Sequence, residues 1–311
     1  MKTLYIVIVT YNAVPWIKRC IDSIIQSTID ANIIVVDNCS TDDTLSLLEN
    51  LYPDVQIFAQ SKNLGFGQAN NIGIVNALEN GADYVYLLNQ DAWVQPQTFE
   101  ILIQTHRSHP EFGIISPMHT TATIERLDNY FALSCNSKTC QGLIDDLYFN
   151  RTKDIYQIDF VAAAHWLISR ECLMAVGGFS PTFFHYAEDD NYINRAFYHN
   201  FNIGICPKTS AVHDREFRKE STEKQIYKVF TMIVCHSSKI MNFKITTILA
   251  SIYYLFKVSL KNKSLLAFLY FFRFLFMLPK IIRNRKISKR RYPNFLFKIS
   301  TTSRNIFEPN K

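Results

Sequence analysis

From residue 224 to residue 307 the chain contains no aspartate and no glutamate, although it carries 17 lysines and arginines there. Residues 1–223 show the opposite balance, 15 lysines and arginines against 26 acids, so two physically different pieces meet near residue 224. A one-signed basic stretch is a general signal for an anionic surface, with a helical domain packed on the first piece, or a nucleic-acid patch, as the plainer reading. Any C-x-x-C pair is missing too. The seven cysteines (Cys20, Cys39, Cys135, Cys140, Cys172, Cys206, Cys235) are odd in number and scattered, which fits reduced thiols in a cytosolic compartment better than a disulfide framework. No window reaches about 18 uncharged apolar residues. Residues 243–282 are rich in Leu, Ile, Phe and Tyr but broken by Lys244, Lys257, Lys261, Lys263 and Arg273, so one or two helices lying in a membrane interface are expected rather than a spanning helix. The first residues lack a small-residue cleavage site and read as a buried strand, not a signal peptide. There is no internal repeat.

What is present points to an α/β domain with an appendage. A length of 311 residues with 48% hydrophobic content supports one large domain plus a smaller piece. Apolar runs at 4–9, 33–36, 55–59 and 84–88 alternate with helical patterns at 15–26, 42–50 and 68–79. Ser40 or Thr41 can cap the second helix. Strands separated by helices imply a mainly parallel sheet with crossovers. A further strand is expected at 113–116, an extended segment at 159–166, and a short helix at 170–176 stopped by Gly177-Gly178. Residues 118–156 are mixed, as in a substrate-facing insertion or a pair of edge strands. The expected division is an α/β domain over 1–225 and a basic, hydrophobic helical region over 226–311.

Acidic or metal-competent residues stand at the ends of these strands, where open α/β sheets bind ligands. Asp37 follows Ile33-Ile34-Val35-Val36 and could accept hydrogen bonds from a pyrimidine or a ribose; alone it would equally cap the next helix. Thr10-Tyr11-Asn12 at the neighbouring strand end favours a base pocket, with Tyr11 beside a planar ring. Asn63-Leu64-Gly65-Phe66-Gly67 opens a helix, and its glycines allow close backbone approach to an anion, though the spacing is neither a P-loop nor G-x-G-x-x-G. Asn89-Gln90-Asp91 ends the strand 84–88, and Asp91 is placed to bind Mg2+ or Mn2+ together with diphosphate oxygens. In Glu188-Asp189-Asp190, mutual repulsion raises at least one pKa and suits a general base; the run can also cap the helix after it. His213 is promoted by this company, and Arg215 could reach a diphosphate. Asp159, Ala163, Ala164, His165 and Trp166 could line the acceptor side, with Trp166 as readily a core residue.

Taken in order, Val9-Thr10-Tyr11-Asn12, Val35-Val36-Asp37-Asn38-Cys39-Ser40-Thr41-Asp42, Asn63-Leu64-Gly65-Phe66-Gly67, Leu87-Leu88-Asn89-Gln90-Asp91, Val176-Gly177-Gly178-Phe179 and Phe183-Phe184-His185-Tyr186-Ala187-Glu188-Asp189 resemble the family 2 glycosyltransferases of GT-A fold, in their rhamnosyltransferase-like bacterial branch. The resemblance runs from Val7 to about Arg215. It implies that Thr10, Tyr11, Asn12, Asp37, Asn38, Asn63, Gly65, Asn89 and Arg215 bind a nucleotide-diphosphate sugar. It also implies that Asp91, helped by His213, holds the metal, and that Asp189, with Glu188 beside it, deprotonates the acceptor in an inverting displacement. The family's first D-x-D position is Asn89 here, which leaves a single carboxylate, and Glu188, Asp189 and Asp190 compete as bases. The implied acceptor is a growing, lipid-linked surface glycan. The implied place is peripheral, at the cytoplasmic face of the bacterial inner membrane. Interleaved aromatics favour an anionic membrane surface over nucleic acid for the basic region. No Trp follows an Arg, so the Q-x-x-R-W motif of processive polysaccharide synthases is absent.

Overall fold

The computed structural model describes residues 2–215 and 221–291, and the backbone of 304–305. The elements follow in the order β1 (Leu4–Thr10), α1 (Ile17–Ile25), β2 (Asn32–Asp37), α2 (Thr44–Leu51), β3 (Gln56–Ala59), α3 (Phe66–Glu79), β4 (Tyr84–Asn89), β5 (Ala92–Val94), α4 (Thr98–Ser108), β6 (Phe112–Thr120), α5 (Asn129–Ser134), α6 (Leu143–Tyr148), β7 (Tyr156–Gln157), β8 (His165–Ser169), α7 (Arg170–Val176), α8 (Glu188–Tyr198), β9 (Asn202–His213), α9 (Thr222–Ser238), α10 (Ile245–Lys261), α11 (Leu266–Ile287) and β10 (Arg304–Asn305). The sheet order is β10-β3-β2-β1-β4-β8-β6-β9-β5, with β7 on β9. Strands β1 to β4, β6 and β9 share one direction, while β8, β5 and β7 run against it. The expected mainly parallel α/β sheet is thus what forms, and its parallel half carries the ends of β1, β2 and β4 at one edge of the molecule.

Strand side chains alternate between the two faces. Val7, Val85 and Leu87 face a core built with α3, α7 and α8. Ile6, Ile8, Tyr86 and Leu88 face a second core built with α1, α2 and α4. Helix α1 buries Ile17, Cys20, Ile21 and Ile24 at helical spacing, each large side chain contributing roughly 1.5–3 kcal/mol. Helix α2 starts at Thr44, later than its pattern suggests, for a local reason. The Ser40 hydroxyl is drawn back to Asp37 at 2.5 Å, and Asp42 Oδ1 takes the Thr44 N–H at 3.1 Å.

Residues 118–156 resolve into the end of β6, two short helices and β7. The basic region forms α9, α10 and α11 around a third core that includes Phe183, and residue 226 lies inside the first turns of α9. No helix among the described residues is long and apolar enough to cross a membrane. Beyond these helices Arg304 and Asn305 pair antiparallel with β3 as β10, and residues 292–303 and 306–311 lie outside the described residues.

Candidate functional site

The floor of the site is built by Asp37. It is wholly buried, with Oδ1 accepting from the hydroxyls of Thr10 (2.9 Å) and Ser40, and Oδ2 from the Ser40 N–H at 2.9 Å. These bonds join the ends of β1 and β2 and fix the Asp37 carboxylate at the strand mouth. Asn38 continues this lattice, accepting from Leu64 N–H at 2.7 Å and donating to Asn63 Oδ1 at 3.0 Å. Asn12, at φ 52°, accepts from Thr41 N–H at 2.8 Å. Tyr11 stays exposed above this floor. Its backbone is clamped by Gln90, which accepts from Tyr11 N–H at 2.7 Å and donates to the Tyr11 carbonyl at 3.2 Å. Gln90 went unnoticed in the sequence; its place between Asn89 and Asp91 was the only sign.

Beside this floor, antiparallel pairing sets Ala92 of β5 opposite His213 of β9. The register brings Asp91 Oδ1 to 3.6 Å from His213 Nε2. Burial alone would raise the Asp91 pKa, but the neighbouring His213 and the charge of Arg215 more than reverse this and hold it below the ordinary carboxylate range. Asn89 Nδ2 faces His213 Nε2 at 3.3 Å, while its Oδ1 is buried without a partner. Arg215 Nε donates to the His213 ring at 3.0 Å, with its guanidinium 5.1 Å from the ring centre of Tyr130. Among the described residues no three of His, Cys, Asp or Glu gather into a metal cage. One carboxylate, one imidazole and an orphaned amide oxygen nevertheless fit a Mg2+ or Mn2+ ion whose remaining positions go to ligand oxygens.

The third component is the acid run at the start of α8. Tyr186 and Ala187 precede it at φ 69° and 68°, a left-handed pair that costs of order 1–3 kcal/mol per residue unless the surroundings enforce it. They are enforced. Gly65, at φ 80°, abuts this loop so closely that a Cβ there would lie 1.9 Å from the Phe184 carbonyl oxygen. The glycine in the 63–67 loop is thus explained by packing against the acid loop. Asn71 of α3 holds the same region from behind, accepting from Phe179 N–H at 2.7 Å and donating to its carbonyl at 2.9 Å. Arg195, wholly buried, donates to the carbonyls of Val176 and Gly178 at 2.9 and 2.7 Å.

Glu188 is buried with Oε2 unpartnered; burial and the neighbouring Asp189 push its pKa up to about 8. Asp190 is pushed up to about 7 by burial and by Asp189. Burial raises Asp189 as well, but N–H groups of Asp190, Asp189 and Ala163 and the charge of Arg215 favour its ionised form. The adjacent Ala164 carbonyl accepts from Asn89 N–H at 3.1 Å. The charge of Arg215 acts on both Asp91 and Asp189, favouring the ionised form of each. His165 places Nε2 3.0 Å from the Val212 carbonyl oxygen and Nδ1 3.0 Å from Tyr86 Oη. Trp166 is core, stacked on Phe179 at 6.2 Å.

A mainly parallel sheet flanked by helices in this order is the architecture of a GT-A fold. Residues 5–173 match glycosyl transferase family 2, and the chain belongs to that family. It is 25% identical over 239 residues to the low-salt glycan biosynthesis hexosyltransferase Agl10 of Haloferax volcanii, covering 74% of this chain and 73% of that one. It is also 25% identical over 217 residues to the dTDP-rhamnosyl transferase RfbF of Shigella flexneri, covering 68% and 69%. Among solved structures, the mannosyltransferase PcManGT from Pyrobaculum calidifontis, in complex with GDP-Man and Mn2+, superposes with a TM-score of 0.56 at 17% identity, over 82% of this chain and 70% of that one. S. aureus TarS 1-349 with UDP-GlcNAc gives 0.53 at 17% identity, over 78% and 68%. At such identities the structural likeness speaks for the fold alone.

Proposed function

We propose that this glycosyltransferase moves a sugar from a nucleotide-diphosphate donor to a hydroxyl of a growing, lipid-linked surface glycan, with inversion at the anomeric carbon. The observation that carries the reading is the pairing of Asp91 with His213 at 3.6 Å and of His213 with Arg215 at 3.0 Å, where the Arg215 charge also favours ionised Asp189. The reading sets Asp189 as the base and Asp91 with Arg215 as the diphosphate-facing groups, as a single in-line displacement requires.

Tyr11 and Asn12 receive the nucleobase side of the donor, over the floor set by Thr10, Asp37, Asn38 and Asn63. Arg215 faces the diphosphate. Asp91, His213 and the Asn89 amide oxygen would hold a Mg2+ or Mn2+ ion, which when bound neutralises charge on the departing diphosphate. Asp189 takes the acceptor hydroxyl proton as the new carbon–oxygen bond forms, and the bond to the nucleoside diphosphate breaks with its electron pair leaving on the diphosphate. Glu188 and Asp190, both raised toward or above neutrality, retain protons more readily, so Asp189 is the ionised member of the run. The hexosyl- and rhamnosyltransferase names of the relatives support the donor class.

The proposed place of action is the cytoplasmic face of the bacterial inner membrane, held peripherally; the free cysteines are in keeping with a reducing compartment. The test is a panel of sugar nucleotides with Mn2+ in a thermal-shift assay. At least one should raise the unfolding temperature in proportion to the logarithm of its concentration, and a panel without any stabilising member contradicts the reading.

A further inference from the structure

We infer that the outward side of α10 and α11 is a docking face for the interface of an anionic phospholipid bilayer, and that this docked unit holds the acid loop. The inference deepens the peripheral placement proposed above. On α10, Ile245, Leu249 and Tyr253 recur every fourth residue and are 57, 58 and 70% exposed, and Leu260 is 75% exposed on the same side. Leu265, Leu269, Phe272 and Phe276 make the matching stripe at the start and along α11, at 76, 65, 56 and 84%. Single exposed apolar residues are ordinary, but a continuous stripe of this size marks an interaction surface. The two stripes form one surface, because Phe256 and Phe268 meet edge to face at 5.1 Å across the seam.

Charge names the occupant. Exposed Lys257, Lys261, Arg273 and Arg283 border the stripe, and no acid lies anywhere from 224 to 307. A second copy would bring like charges together, and a nucleic acid offers no hydrocarbon to cover the aromatics. An anionic bilayer supplies both hydrocarbon and negative headgroups. With no described helix able to cross, the hairpin lies in the interface.

Helix α11, together with α9 packed against it, fixes the segment that carries the acids. Lys280 Nζ donates to the Pro181 carbonyl at 2.8 Å, Asn284 Nδ2 to Thr182 Oγ1 at 2.7 Å, and Asn191 Nδ2 to Ser238 Oγ at 3.1 Å. Phe183 is buried in the helical core itself. Docking therefore sets the orientation of the Glu188–Asp190 run relative to the membrane.

Flotation of the full chain with vesicles of phosphatidylglycerol and phosphatidylethanolamine, against vesicles of phosphatidylcholine alone, tests this. The chain should rise with the anionic vesicles, less so with neutral ones, and less as salt increases. Combined Leu269→Glu, Phe272→Glu and Phe276→Glu should leave it at the bottom while sugar-nucleotide stabilisation persists. If that variant does not fold, Lys257→Glu with Lys261→Glu should weaken partition into anionic vesicles by about tenfold or more, at roughly 1 kcal/mol per cation. Absence of flotation with donor binding intact overturns the docking face and spares the transferase reading. Undiminished flotation of the folded variants, or retention by polynucleotide instead of vesicles, overturns it as well.

Discussion

Asn89 and Ala164 join the strand end to the segment before β8: the Asn89 N–H donates to the Ala164 carbonyl at 3.1 Å, and the preceding Ala163 is among the groups that favour ionised Asp189. Because burial raises Asp189, its proton is lost at a higher pH than an ordinary carboxylic acid's. A base must be ionised, so activity falls as pH drops through that raised value. The acid limb of kcat/KM should lie above the usual aspartate range, and Arg215→Ala should move it further up by removing a charge that favours the ionised form. A limb at or below pH 4 would contradict the assignment, that being roughly the unperturbed aspartate value.

Glu188 carries a linked effect on stability. Its folded pKa of about 8 exceeds the ordinary 4.5, so the folded state binds the proton more tightly than the unfolded one. The contribution is fully present below about pH 4.5 and is lost as pH rises through about 8. Glu188→Gln should therefore be more stable than the parent at pH 9 and lose that advantage at pH 5. Thermal unfolding at the two pH values measures it.

Gly65→Ala should cost about 2–5 kcal/mol, combining a left-handed backbone with overpacking against Phe184. Urea unfolding reads the loss. Because the displaced neighbour leads into the acid loop, kcat should fall more than donor affinity does; an unchanged kcat in the folded variant would mean the loop contact does not position the acids.

The parallel half of the fold was legible in the sequence because its strands are nearly all apolar and period 2 and period 3.6 alternate cleanly. The helix at 170–176 was legible from its Gly177-Gly178 stop. The region 118–156 was not, since α5, α6 and β7 are too short to show a period. Within the site, Asp91, His213 and Asp189 stood out by chain position. The burial of Asp37 did not, because a strand-end aspartate looks the same whether it faces a ligand or its own Thr10 and Ser40. Asn71 and Gln90 act on backbone groups far away in sequence, at Phe179 and Tyr11, and no local pattern encodes such a contact.

Asn89→Asp should tighten Mn2+ binding in the presence of a nucleoside diphosphate, since a second carboxylate replaces the orphaned amide oxygen beside Asp91. Calorimetric titration of Mn2+ tests this without reference to turnover. Weaker binding in a folded variant would remove residue 89 from the metal site.

The most direct measurement is release of nucleoside diphosphate from the donor identified in the sugar-nucleotide panel, by the parent chain and by Asp91→Ala and Asp189→Asn variants with unaltered thermal transitions. Each substitution should lower kcat by roughly 10²–10⁴, the scale of a lost general base or an equally placed charge, with only the first changing the Mn2+ requirement. Parent-like turnover in both folded variants would contradict the account.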